Sequence, residues 1–155
     1  MVSTPIGNLG DITYRAINIL NDVSLIAAED TRYSKKLLNH YQIETKMISY
    51  YEYNRDNRIP FLISNLVNGL NVAVITDAGT PGISDPAYKL VREAIGAGVK
   101  IESIPGPSAF LAALTASGLP TDRFLFEGFL PPKKGRNKRL TKLQDVDATI
   151  IYYES

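Results

Sequence analysis

The sequence predicts an α/β fold: a mostly parallel, open sheet with helices on both faces. Three observations carry that expectation. Short apolar runs alternate with helical stripes along all 155 residues. The stripes end on Gly69, Gly98 and Gly118, the residue type that best closes a helix in a left-handed cap. Loops rich in Gly, Pro and small polar residues follow the apolar runs, and that rim is where open α/β sheets take ligands.

Taken in order, Met1 to Ser3 reads as the end of a strand. Asp11 is placed to cap a helix that turns Ile12, Ala16, Ile19 and Leu20 inward. Leu25 to Ala28 is a short strand and Ser34 to Tyr41 a short helix. Met47 to Tyr51 is the next strand, followed by a polar loop, Glu52 to Asn57. Ile59, Leu62, Ile63, Leu66 and Val67 recur at helical spacing. Val72 to Thr76 is a strand. Asp85 as N-cap and Pro86 at the first helical position open the helix whose stripe is Ala87, Leu90, Val91, Ala94 and Ile95. Lys100 to Ile104 is a strand, Ala109 to Ser117 a helix of small residues, and Phe124 to Phe126 a strand. A basic helix, Arg136 to Gln144, and a last strand, Thr149 to Tyr153, complete the chain. With no internal repeat and no low-complexity linker, one domain over residues 1–155 is expected. Strands usually run about 5–6 residues, yet only Met1 to Ser3 precede the first loop, and the sequence stops directly after an apolar strand. The chain therefore reads as a fragment of a longer protein.

Composition narrows the function. Hydrophobic residues make up 45%, enough for a real core and too many for disorder. No apolar stretch approaches ~18 residues, so no membrane span is expected. Met1 runs straight into a strand–loop pattern, so no signal peptide is expected and a cytoplasmic location is. Cysteine is absent, which excludes disulfides, Cys-ligated zinc and iron–sulfur clusters. His40 is the single histidine, so neither a His-based metal site nor a triad can be built, and His40 itself reads as a solvated surface residue. No metal is expected. The net charge is only +1, but Lys133, Lys134, Arg136, Lys138, Arg139 and Lys142 crowd six of the 17 basic residues together. That run is either a solvated helix face or a patch for a phosphate backbone.

Four loops at strand ends have unusual composition. Ser3 to Asp11 contains Pro5, Gly7, Asn8 and Gly10, where glycine permits positive φ or close ligand approach. Glu29, Asp30, Thr31 and Arg32 form the second; its acids either orient a substrate hydroxyl or pair with Arg32 and cap a helix. Asp77, Ala78, Gly79, Thr80 and Pro81 belong to the third, where two glycines, two threonines and two aspartates converge between Thr76 and Asp85. Pro105, Gly106, Pro107, Ser108 and Ala109 form the fourth, a turn whose small residues let a flat ring pack against backbone. The dinucleotide fingerprint, the P-loop and the G-x-S-x-G elbow are all missing. A small zwitterion with an adenosine tail suits such backbone-lined loops.

Six motifs stand in order: Thr4-Pro5-Ile6-Gly7-Asn8-Leu9, Ala28-Glu29-Asp30-Thr31-Arg32, Asp77-Ala78-Gly79-Thr80-Pro81, Pro105-Gly106-Pro107-Ser108-Ala109, Glu127-Gly128-Phe129-Leu130-Pro131 and Tyr153-Glu154-Ser155. Together they resemble the small-subunit ribosomal RNA methyltransferases of the tetrapyrrole methylase superfamily, over Val2 to Ser155. The resemblance implies an N-terminal, cofactor-binding α/β domain whose partner domain is absent from this chain. It implies an S-adenosylmethionine-dependent enzyme that methylates the ribose 2′-hydroxyl of a cytidine in 16S ribosomal RNA. It also implies a homodimer, and a cofactor held by Pro5, Gly7, Asn8, Asp77 to Pro81 and Pro105 to Ala109.

Methyl transfer from a sulfonium to a hydroxyl is an in-line displacement that needs the reacting atoms at a near-attack distance of ~3–3.5 Å. A base for the hydroxyl proton helps. Asp30 and Glu154 are the acids expected to act there, with Arg32 as orienter or phosphate contact. With RNA as the implied substrate, Lys133, Lys134, Arg136 and Arg139 are expected to bind phosphates. Tyr50, Tyr51 and Tyr53 either stack a flipped base or sit half-buried in a strand. Two other outcomes stay open: methylation of a tetrapyrrole of the precorrin type, and a non-catalytic module for cofactor binding or dimerisation.

Overall fold

Leu25–Ala28 forms the central strand, β1, and all four of its residues are buried. In this computed structural model, which describes residues 1–154, β1 pairs in parallel with β2, Met47–Ser49, and with β3, Val72–Ile75. Ser155, the last residue of the final motif, lies outside the described residues. The strand order is β2-β1-β3. Beyond β3 the chain start continues the ladder: Val2 N donates to Val74 O at 2.9 Å and Ile104 N to Met1 O at 2.8 Å. The strands expected over Met1–Ser3 and Lys100–Ile104 are thus reduced to a single parallel bridge, Val2 to Ile104. Their shared ladder has too few rungs to register as a strand.

The chain divides into two compact units, Met1–Pro107 and Ser108–Ser155. In the first, strand periodicity sends alternate side chains to opposite faces. Ile26, Ala28, Ala73 and Ile75 pack with Ala16 and Leu20 of α1, Tyr14–Asp22, and Leu38 of α2, Thr31–His40. Leu25, Ala27 and Val74 pack with Leu62 of α3, Arg55–Val67, and Ala87 and Leu90 of α4, Ala87–Gly96. Helices therefore cover both faces of a parallel sheet.

Local chemistry moves several boundaries. Thr13, not Asp11, caps α1, its side chain accepting from Ala16 N at 3.1 Å. Asp11 is taken up in a 3₁₀ turn over Leu9–Asp11 that Asn8 caps. Helix α3 starts inside the expected polar loop, with Pro60 in its second turn, where only the bond to Asp56 is lost. The N-cap of α4 falls on Pro86 and not on Asp85, because the helix begins one residue later than expected; Asp85 Oδ1 still accepts from Ala87 N at 2.8 Å. Tyr50 is 2% exposed and part of the core, which rules out a stacking role for it; Tyr51 and Tyr53 are exposed. His40 is exposed.

The second unit contains α5, Ala109–Ala116, then β4, Phe124–Phe129, α6, Lys133–Leu143, and β5, Thr149–Tyr153. Strands β4 and β5 pair in parallel across the α6 crossover. The register shifts between Phe126 and Phe129, where Gly128 takes φ +65°, so β4 bulges and runs further than its apolar start indicated. Phe126 stacks on Phe110, centroids 4.8 Å apart, and meets the Tyr153 ring edge-on at 5.0 Å. Lys134 and Gly135 are non-helical, so regular helix begins near Arg136.

Candidate active site

The carboxyl ends of the strands in the first unit carry three loops that are sewn together by main-chain and hydroxyl groups. Thr4 and Gly79 exchange backbone bonds at 2.9 and 3.1 Å as an antiparallel bridge. Thr4 is 1% exposed, and its Oγ1 donates to the Thr76 carbonyl at 3.1 Å. Ser3 Oγ lies 3.1 Å from Thr80 Oγ1, which in turn donates to the Pro107 carbonyl at 3.1 Å. Loop 3–7, loop 76–81 and loop 105–107 thereby become one surface.

Glycine is required at two of the seams. Gly79 has φ +84°, and a Cβ there would stand 3.4 Å from Ile6 Cγ2. At Gly106 a Cβ would stand 2.8 Å from Ser3 Cβ, closer than any real contact. Gly7 differs: at φ +136° nothing lies within 4 Å of where its Cβ would be. It leaves a strip of backbone open, beside which Pro5 is buried. Asn8 spends its side chain on the local turn, accepting from Gly10 N at 3.0 Å.

The acids are joined to this surface. Asp30 N donates to Asp77 Oδ1 at 3.0 Å, linking the loop after β1 to the loop after β3, and Thr76 Oγ1 donates to the Glu29 carboxylate. Asp30 is also the N-cap of α2, accepting from Arg32 N and Tyr33 N, and it pairs with the Arg32 guanidinium at 2.8 Å. The Arg32 hydrogen bonds hold the Asp30 carboxyl down at about 2. Burial pushes Asp77 the other way, with the Glu29 and Asp30 charges adding to it. Burial likewise raises Asp85, whose Oδ2 accepts from Gly82 N at 2.6 Å. Two hydrogen-bonded neighbours, Asp30 and Asp77, are therefore displaced in opposite directions.

The structure brings together Asp77, Gly79, Thr80, Gly106 and Pro107, with Asp30 joined through Asp77 and Arg32 paired to Asp30, while Pro5 and Gly7 flank Ile6, which lies against Gly79. Ala78 is exposed and Pro81 buried within the same loop. Pro105 is exposed at the end of the Ile104 segment. Ser108 and Ala109 open the second unit, Ser108 as the extended N-cap residue of α5 without a side-chain cap bond. Glu154 also belongs to the second unit, where Arg136 grips both of its oxygens at 2.8 and 3.0 Å. The sequence reading placed Ser3, Thr4 and Glu29 in candidate loops but did not count them or Thr76 among the assigned site residues. Their hydroxyls and carboxylate are ordinary in sequence, and only the 77-residue separation of Ser3 and Thr80 closing in space gives them a role.

A cavity of about 660 Å³ lies elsewhere, at the amino end of the sheet among Val72, Leu90, Val99 and Ile101. None of the candidate residues lines it. A hollow of about 10 Å³, room for one water, lies between Glu29, Thr76, Asp85 and Tyr50. The Tyr50 hydroxyl donates to the Pro86 carbonyl at 3.1 Å, and burial pushes it up to about 12. Among the described residues no three His, Cys, Asp or Glu are grouped to hold a metal ion, and no helix is long and apolar enough to cross a membrane.

The family described as Tetrapyrrole (Corrin/Porphyrin) Methylases matches residues 1–155. Ribosomal RNA small subunit methyltransferase I of Vibrio cholerae is 51% identical across 100% of this chain, which covers 54% of that protein. The protein of the same name from Mesorhizobium japonicum is 54% identical across 100% of this chain, which covers 53% of it. This chain thus spans about half the length of the curated relatives it matches. Among solved structures, a diphthine synthase shares the fold with a TM-score of 0.77 at 16% identity, over 98% of this chain and 62% of that one. The protein APE0931 from Aeropyrum pernix K1 aligns with a TM-score of 0.63 at 25% identity, over 84% of this chain and 46% of that one.

Proposed function

Because the chain belongs to the tetrapyrrole methylase family, we propose that it is the N-terminal, cofactor-binding part of an S-adenosylmethionine-dependent methyltransferase that modifies the ribose 2′-hydroxyl of a cytidine in 16S ribosomal RNA. One observation carries the substrate reading: relatives named for the small ribosomal subunit match the whole chain at about half identity. The resemblance also supports a cytoplasmic homodimer.

The loop surface fits the cofactor chemically. Gly7 leaves its backbone open, with nothing within 4 Å of where a Cβ would stand, and the Asp77 carboxylate complements a cationic zwitterion. Pro5, Gly7, Asn8, Asp77, Ala78, Gly79, Thr80, Pro81, Pro105, Gly106, Pro107, Ser108 and Ala109 are the residues assigned to hold it. When bound, S-adenosylmethionine supplies an electrophilic methyl group on a sulfonium.

This chain's own residues have separate tasks. Ser3, Thr4 and Thr80 lock the three loops into one register. That register is the positional requirement of an in-line displacement. Asp30 stays ionised down to about pH 2, so it contributes charge and orientation, holding Arg32 for the substrate. Glu154 is the carboxylate assigned to take the hydroxyl proton. Labelled methyl transfer tests the reading, with small ribosomal subunits and a precorrin offered side by side to the intact enzyme. Label in the ribose of a 16S cytidine is the expected result. Label in the precorrin, or full single-turnover rates in both Asp30→Asn and Glu154→Gln, would contradict the substrate or the residue assignment respectively.

A further inference from the structure

The six cations around α6 fall into two groups with different surroundings. Arg136 holds both Glu154 oxygens and also donates from Nε to the Pro131 carbonyl at 3.3 Å. Arg139 donates from Nε to Glu127 Oε2 at 2.7 Å. The Glu127 side chain is only 7% exposed, so it is a nearly buried carboxylate whose counter-charge is Arg139. Arg136, Arg139 and the buried Leu143 are spaced by three and four residues, which puts them on one helix face.

The lysines are placed otherwise. Lys138 and Lys142 are four residues apart on a different face, both exposed. Lys133 and Lys134 are exposed at the kink that Gly135 makes with φ +100°. Among the described residues none of the four lies within ion-pair distance of a carboxylate, whereas both arginines do. A planar guanidinium fork suits a carboxylate and a phosphate alike, but both of these forks are already engaged, by Glu154 and by Glu127, so the lysine ammoniums are the charges left to meet a phosphate. Four residues of helix advance about 6 Å, a step short enough for Lys138 and Lys142 to reach successive phosphates of one strand.

We propose that Lys133, Lys134, Lys138 and Lys142 form the face that lies along the RNA phosphate backbone, while Arg136 and Arg139 are fasteners that hold α6 to β4 and to the end of β5. This departs from the sequence expectation that Arg136 and Arg139 bind phosphates together with Lys133 and Lys134, and it rests on the RNA reading above.

The test is RNA binding measured against salt, with 16S ribosomal RNA as probe, from about 50 to about 200 mM. Each single-strand phosphate contact contributes about 0.7 to the slope of log affinity against log salt. The K138Q/K142Q variant is therefore expected to lose about 1.4 from the slope, with an unchanged melting temperature and unchanged S-adenosylmethionine affinity. R139Q is expected to keep the slope and melt lower. The double variant E127Q/R139Q, which removes both charges, is expected to regain part of that loss. An unchanged slope in K138Q/K142Q, or a larger slope change in R139Q or E127Q/R139Q than in the lysine variant, overturns the assignment. If the parent protein itself binds RNA without salt dependence, the RNA reading falls with it; if the parent shows the dependence and the lysine variant keeps it, only this inference falls.

Discussion

The two ends of the first unit's sheet are built to opposite plans. At the amino end a cavity of about 660 Å³ is walled largely by apolar side chains such as Val72, Leu90, Val99 and Ile101. At the carboxyl end polar groups converge: Thr4 bonds to Thr76, Asp30 to Asp77 and Thr80 to Pro107, joining four loops. The contrast teaches that volume does not locate chemistry. A reaction needs oriented donors, acceptors and displaced acids in one place, and the carboxyl end gathers such groups.

The largest effect is expected where that end is tightest. Gly106→Ala would drive a Cβ to 2.8 Å from Ser3 Cβ, and Ser3 is 1% exposed, so the loop must shift. Overpacking of this kind costs about 1–3 kcal/mol. Urea unfolding is expected to show that loss, and calorimetry a weakening of S-adenosylmethionine binding of tenfold or more, about 1.4 kcal/mol. Thr4→Val comes next. It keeps the shape and removes the hydroxyl bond to the Thr76 carbonyl, for an expected cost of about 1 kcal/mol. An unaltered midpoint in either variant would break the picture of loops sewn together at these points.

The acids sharpen the comparison through pH. Arg32 holds Asp30 down at about 2, so the folded chain favours its ionised form. That contribution is present above the ordinary value of 3.8 and is lost as pH falls towards 2. Burial raises Asp77, so the folded chain favours its neutral form. Its contribution is complete below 3.8 and is lost as pH rises through the raised value. Unfolding of Asp30→Asn and Asp77→Asn, followed from acid to neutral pH, is expected to flatten the stability profile in opposite senses. Shifts of the same sign in both would contradict the opposed environments. The smallest effect is expected at the other end: Ile101→Ser, on the cavity wall, should change S-adenosylmethionine affinity by less than about twofold, well under 1 kcal/mol.

Much of the architecture was legible in the chain because apolar runs and glycine stops are local signals. The bounds of β1, Leu25–Ala28, and of β5, Thr149–Tyr153, are those the sequence indicates. Misplacements came where a local rule had a competitor. Asp11 is a good cap residue, but Asn8 claims it for a 3₁₀ turn, and Thr13 caps α1 instead. Tyr50, Tyr51 and Tyr53 look alike in sequence. Tyr50 is held against β1 just past β2, its N–H donating to the Ala28 carbonyl at 2.7 Å, while Tyr53 lies in the turn that follows, and the hydroxyl of Tyr50 finds Pro86 only in the folded chain. The site divides the same way. The glycine- and proline-rich loops were readable, and so was Asp30 as a partner of Arg32. The contacts that join the loops, Ser3 to Thr80 and Thr4 to Gly79, span some 75 residues and leave no mark in composition.

Amide chemical shifts followed during titration with S-adenosylmethionine test the central claim most directly. The account predicts that the amides of Gly7, Ala78, Gly79, Thr80 and Gly106 move while those of Val72, Val99, Lys100 and Ile101 stay put. Movement confined to the second set, with the carboxyl-end amides unchanged, would contradict it.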